Sequence, residues 1–177
     1  MKKVLFILFA AIGLLSGYAS ARQHHEGHHG HEAYEHCGRR CRSPYFVAGD
    51  KVFFDGREIE GAAASSFDIL RDGYAKDTWN VYYLGVKMQG ASPGSFKVPG
   101  YGYAKDTWNV YYNGCRIQDA SPGSFTVLKG WYAKDIWNVY YDGVKIEGAS
   151  PDSFKAFGDD GYAADRWNTY YRGELIK

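Results

Sequence analysis

The chain has 177 residues, with 21 Lys and Arg against 20 Asp and Glu, a formal charge of +1. That balance gives no electrostatic reason to expect nucleic acid or an anionic membrane surface as a partner. Sixteen Tyr, ten Phe and five Trp against two Met favour strands over helices, because aromatic side chains suit a pleated, half-buried surface.

The first 21 residues, "MKKVLFILFAAIGLLSGYASA", set Lys2 and Lys3 ahead of an apolar run from Val4 to Leu15 and end on the small residues Ala19, Ser20 and Ala21. This is the pattern of a secretory signal peptide, too short to span a bilayer, with cleavage expected after Ala21. No Cys stands near that site to accept a lipid, so a periplasmic or secreted protein is expected rather than a lipoprotein. Losing two Lys changes the charge to 19 basic minus 20 acidic, or −1.

Residues 22–44, "RQHHEGHHGHEAYEHCGRRCRSP", show no helical or strand periodicity and contain all six His. With so little to bury, the segment cannot offset the entropy of ordering itself, which predicts a disordered His-rich tail. His24, His25, His28, His29, His31, His36, Cys37 and Cys41 place eight imidazole and thiol ligands within 18 residues. Neutral imidazole and thiolate suit Zn, Ni or Cu. The spacing "CGRRC" is not the C-x-x-C of a structural zinc site, and no second Cys/His pair follows at finger spacing. An unselected, solvated low-complexity tail is the plainer alternative. In an oxidising compartment Cys37 and Cys41 are expected to form a disulfide, leaving Cys115 to dimerise the protein or pair with the tail.

From Tyr45 to Lys177 the dominant feature is internal repetition. Tyr45, Tyr74, Tyr103, Tyr132 and Tyr162 open five units at steps of 29, 29, 29 and 30 residues, and Phe67, Phe96, Phe125 and Phe154 keep the 29-residue step. "GYAKDTWNVYY" occurs unchanged at 73–83 and 102–112, and nearly so at 131–141 and 161–171. Each unit reads as "YAKD", then "DTWN" with an Asp and an Asn to fix a turn, then a "VYY" strand. Two turn residues follow: Asp55-Gly56, Leu84-Gly85, Asn113-Gly114, Asp142-Gly143 and Arg172-Gly173. Three of these pairs are the Asp-Gly or Asn-Gly of a type I′ hairpin. A short strand such as "VKI" comes next, then the connector "GASPGSF", expected to be a tight or 3₁₀ turn. The Phe of the connector leads a further strand back to the next "YAKD". One such unit cannot bury its aromatic face alone, whereas stacked copies can. The expected fold is all-β: a tandem array of five β-meander units arranged as a solenoid, a small propeller or a continuous twisted sheet.

These residues resemble the bacterial DKNYY repeat family. The likeness rests on Tyr74, Lys76, Asp77, Asn80, Tyr82, Tyr83 and Gly85 and their counterparts in the next two copies, and covers roughly residues 45–177. It implies an architecture and supplies no catalytic residues. Trp79, Trp108, Trp137 and Trp167 depart from the family pattern, in which that turn position is usually polar.

Asp77, Asp106, Asp135 and Asp165 recur once per unit beside one Asn, too few oxygens for the 6–8 ligands calcium prefers, so turn fixing is the expected role. There is no Ser, His and acid set, no phosphate-cradling loop and no nucleotide fingerprint. An enzyme is the least favoured class, and no cofactor is required. Of Tyr82 and Tyr83, one is expected in the core and the other exposed or wedged between units, because neighbours on a strand point to opposite faces. For the four turn Trp two readings stand. Folding back to cap a neighbour's core carries more weight, since buried aromatics dominate core energetics; a row of platforms for a protein or glycan is the sharper alternative. A loose similarity to the aromatic hairpins of bacterial cell-wall-binding repeats favours a glycan by analogy alone. The leading expectation is therefore an exported, non-enzymatic binding or structural module. Metal sequestration by the tail is the runner-up.

Overall fold

A computed structural model describes residues 43–176. The expected signal peptide and nearly all of the His/Cys tail lie outside the described residues. Among these, the protein is built from nineteen short strands in five separate antiparallel sheets, each a run of consecutive strands. The separation of the sheets removes the continuous twisted sheet from the three expected arrangements.

The first sheet has three strands, β1 (Tyr45–Ala48), β2 (Lys51–Phe54) and β3 (Arg57–Glu58). The other four have four strands each. The second comprises β4 (Asp68–Ile69), β5 (Tyr74–Lys76), β6 (Val81–Tyr83) and β7 (Val86–Met88). Its first strand is the segment that follows the connector Phe, and it turns back to pair with the next "YAK" strand, Asp68 opposite Lys76 and Ile69 opposite Ala75. The third, fourth and fifth sheets repeat this plan over 97–117, 126–145 and 155–175. The connector of the first unit holds a 3₁₀ turn at Ala64–Ser66. Later connectors close with bonds such as Ser95 N–H to Ser92 O at 3.3 Å.

All five two-residue hairpin turns have positive φ at both positions: 49° and 76° at Asp55-Gly56, 45° and 79° at Leu84-Gly85, 49° and 81° at Arg172-Gly173. The type I′ geometry therefore extends to Leu84 and Arg172, which have no local preference for it. A left-handed conformation costs an ordinary residue roughly 1–2 kcal/mol.

The apolar side chains gather between sheets rather than within them. In the second sheet, Tyr74 opposes Tyr83 and Val81 opposes Met88, which places these four on one face, while Ala75 and Tyr82 oppose each other on the reverse face. Tyr74, Val81, Met88 and the connector residue Phe96 pack forward against Ala104 and Tyr111 of the third sheet. Equivalent clusters join the first sheet to the second around Tyr45, Ala75 and Tyr82, the third to the fourth around Tyr103, Ala133 and Tyr140, and the fourth to the fifth around Tyr132, Ala163 and Tyr170. The "Tyr-Ala" pair thus has a stacking logic. Tyr fills the next interface, and Ala leaves room for the Tyr of the preceding unit. Tyr82 is buried and Tyr83 is wedged between units: its Cδ1 lies 2.5 Å from where a Cβ on Gly114 would sit.

Candidate functional site

The turn that carries the Trp is built on one carboxylate. Asp77 Oδ1 accepts the backbone N–H groups of Trp79 and Asn80, both at 2.7 Å. Its Oδ2 accepts Tyr82 O–H at 2.7 Å and Ala63 N–H, from the preceding connector, at 2.9 Å. Asp106 repeats the set with Trp108, Asn109, Tyr111 and Ser92. Asp135 and Asp165 do so with Trp137, Asn138, Tyr140 and Ser121, and with Trp167, Asn168, Tyr170 and Ser150. Each carboxylate therefore fixes its own turn and ties that turn to the unit before it.

Burial alone would raise the Asp77 carboxyl. The hydrogen bonds from Ala63, Tyr82, Trp79 and Asn80 outweigh that and hold it below the ordinary carboxylate range. Asp165 is lowered in the same way, against burial, by bonds from Ser150, Trp167, Tyr170 and Asn168. An ionised carboxylate whose lone pairs are taken by four donors offers neither a free base nor an open metal ligand. Among the described residues, no group of three or more His, Cys, Asp or Glu is arranged to hold a metal ion.

A second contact anchors the same turn. The serine at the end of the preceding connector accepts the backbone N–H of the residue before each Trp: Ser66 from Thr78 at 3.2 Å, Ser95 from Thr107 at 3.1 Å, Ser124 from Ile136 at 3.3 Å and Ser153 from Arg166 at 3.0 Å. The backbone under each indole is thus held on two sides while the indole points out. Trp79, Trp108, Trp137 and Trp167 are 76%, 73%, 70% and 77% exposed. This corrects the expectation that they fold back over a neighbouring core. The interfaces they would have capped are already filled by Tyr, Phe and Val.

The side chains that join the units were not evident as a site in the sequence. Tyr74 O–H donates to Gly102 O at 3.0 Å and accepts Gly114 N–H at 2.9 Å. Tyr45, Tyr103 and Tyr132 make the same two bonds across the first, third and fourth interfaces. Each opening Tyr therefore clamps the next unit's hairpin turn. The regular step of these tyrosines was visible, but the carbonyl and amide they grip belong to backbone that sequence does not place. Lysine plays a matching part: Lys105 Nζ donates to Pro122 O and Phe125 O, and Lys134 Nζ to Pro151 O and Phe154 O. The single 30-residue step also has a structural correlate. The longer loop before Tyr162 carries Asp159, which accepts Tyr101 O–H at 2.5 Å, two sheets back.

The expected metal ligands His24, His25, His28, His29, His31, His36, Cys37 and Cys41, and the expected Cys37–Cys41 disulfide, lie outside the described residues. Cys115 is exposed, with a free thiol. No helix among the described residues is long and apolar enough to cross a membrane.

Sheets of one plan, stacked through a tyrosine and an aspartate that recur at each step, define a tandem-repeat β protein. The DKNYY family model matches residues 45–174, and the chain belongs to the DKNYY family. No curated protein and no solved structure matches the chain.

Proposed function

We propose that the protein is an exported, non-enzymatic binding module that holds a protein or glycan partner on its row of turn tryptophans. The observation that carries this reading is the exposure of four indoles, each 70–77%, on turns tied down by aspartates, three of them buried and the fourth, Asp165, half-buried. Fold stability does not require an indole there. In the first unit the same position is Asp50 and the hairpin still forms. In the fifth unit Lys and Val of the motif have become Ala164 and Thr169, yet Trp167 remains. A large, stiff aromatic exposed on a rigid backbone is the kind of group that anchors partners at low entropic cost.

The test is retention on isolated envelopes of the producing cell. The variant W79A/W108A/W137A/W167A is expected to unfold within a few degrees of the parent, since substitutions at exposed positions usually change stability by under about 0.5 kcal/mol each, and to wash off envelopes that hold the parent. Retention equal to the parent's would show that the row is not the binding face.

A further inference from the structure

We infer that the partner is a linear, uncharged polysaccharide, gripped one subsite per repeat unit. This deepens the binding reading above and rests on it. The four platforms are equivalent in backbone, support and exposure. Each sits on an Asp that bonds the Trp and Asn amides at 2.7–2.8 Å, beside a connector serine. Each unit is set on the next by the same tyrosine clamp, so the step from one indole to the next is repeated rather than arbitrary. A surface that repeats at a fixed step matches a ligand that repeats.

The chemistry around the indoles narrows the ligand further. A protein-binding hot spot needs an apolar centre sealed by neighbouring contacts, whereas here each exposed indole is flanked by Asn and by Thr78, Thr107, Ile136 or Arg166, and each turn is held by a connector serine. The charged groups beneath are committed. Asp77, Asp106 and Asp135 each accept four hydrogen bonds, and Lys76, Lys105 and Lys134 donate to connector carbonyls. A flat apolar ring beside an Asn amide, with a Thr hydroxyl at the first two platforms and the motif's own Asp and Lys already bonded at the first three, suits the C–H face and hydroxyl edge of a neutral pyranose. Arg166 stands 6.0 Å over the Trp167 ring, so the fourth platform differs from the others.

The experiment titrates full-length protein carrying Trp131→Phe, which removes the fifth indole signal, with cello-oligosaccharides and chito-oligosaccharides of increasing length. Hydroxyethyl cellulose and glycol chitin serve as the polymers, and binding is read by Trp fluorescence. In at least one series affinity should climb with length, the polymer binding on the order of 10²-fold or more tighter than the shortest oligomer that binds, as expected when successive sites are engaged intramolecularly. W79A, W108A and W137A added in turn should weaken polymer binding stepwise. Affinity independent of length, or no binding by any of these probes, would overturn the inference. If envelope retention still depends on the tryptophans in that case, the binding reading stands with a different partner; if it does not, both fall.

Discussion

Asp77 does the work of a turn residue and an interface residue with one side chain, because its two oxygens serve different neighbours: Oδ1 its own turn, Oδ2 the preceding connector and Tyr82. Such a carboxylate makes stability depend on pH. Asp77 and Asp165 lie below the usual carboxylate value in the folded protein, so the unfolded chain takes up protons first on acidification. The stabilisation is present above the unfolded value of about 4 and is lost as pH falls below it. Tyr45 acts at the other end. Burial pushes its hydroxyl up from 10.0 to about 12, so the unfolded chain ionises first and stability declines as pH rises above about 10. Thermal unfolding midpoints should form a plateau between these limits and fall on both sides. A midpoint unchanged from pH 5 to pH 2.5 would refute the aspartate account.

Between elements, the tyrosine clamp predicts a difference between two chemically identical substitutions. Tyr103→Phe removes the bond to Trp131 O and leaves Gly143 N–H, which is half-buried, without its acceptor, a loss of about 0.5–1.5 kcal/mol for each hydrogen bond. Tyr162 occupies the same place in the fifth unit but is 44% exposed, so Tyr162→Phe should leave denaturant unfolding almost unchanged. Equal effects from the two variants would show that the hydroxyl does not carry the interface. Much of the element scale was legible in the sequence. The Asp-Gly and Asn-Gly pairs marked hairpins, and the 29-residue step marked the units, because both arise from local backbone preference. Leu84 and Arg172 show the limit: they adopt the same positive φ because the strands on either side pair in the same register, a constraint external to the dipeptide. The direction of the indoles was illegible for a related reason. An aromatic residue after Asp-x reads the same whether it points in or out, and the outcome is set by which side chains already fill the interface.

For the molecule as a whole, the first and last units depart from the repeat where stacking differs. The first sheet has no preceding sheet among the described residues, and there Phe46, Ala48 and Phe53 stand in place of the Ala, Asp and Tyr that face backwards elsewhere, with Phe46 and Phe53 stacked at 4.9 Å. In the fifth unit, which has no following connector among the described residues, Ala164 stands where Lys76, Lys105 and Lys134 of the second to fourth units grip one. Where the described residues hold no contact partner, the side chain that would use one is replaced, while the Trp, 70–77% exposed, persists in four units out of five. That contrast separates residues that serve stacking from residues presented outwards, and the binding role of the row depends on the accessibility of its indoles. Acrylamide quenching of the folded protein carrying Trp131→Phe tests it most directly. All four remaining indoles are expected to be quenched as one accessible population, with a constant close to that of the denatured chain. A shielded fraction corresponding to one or more indoles would contradict it.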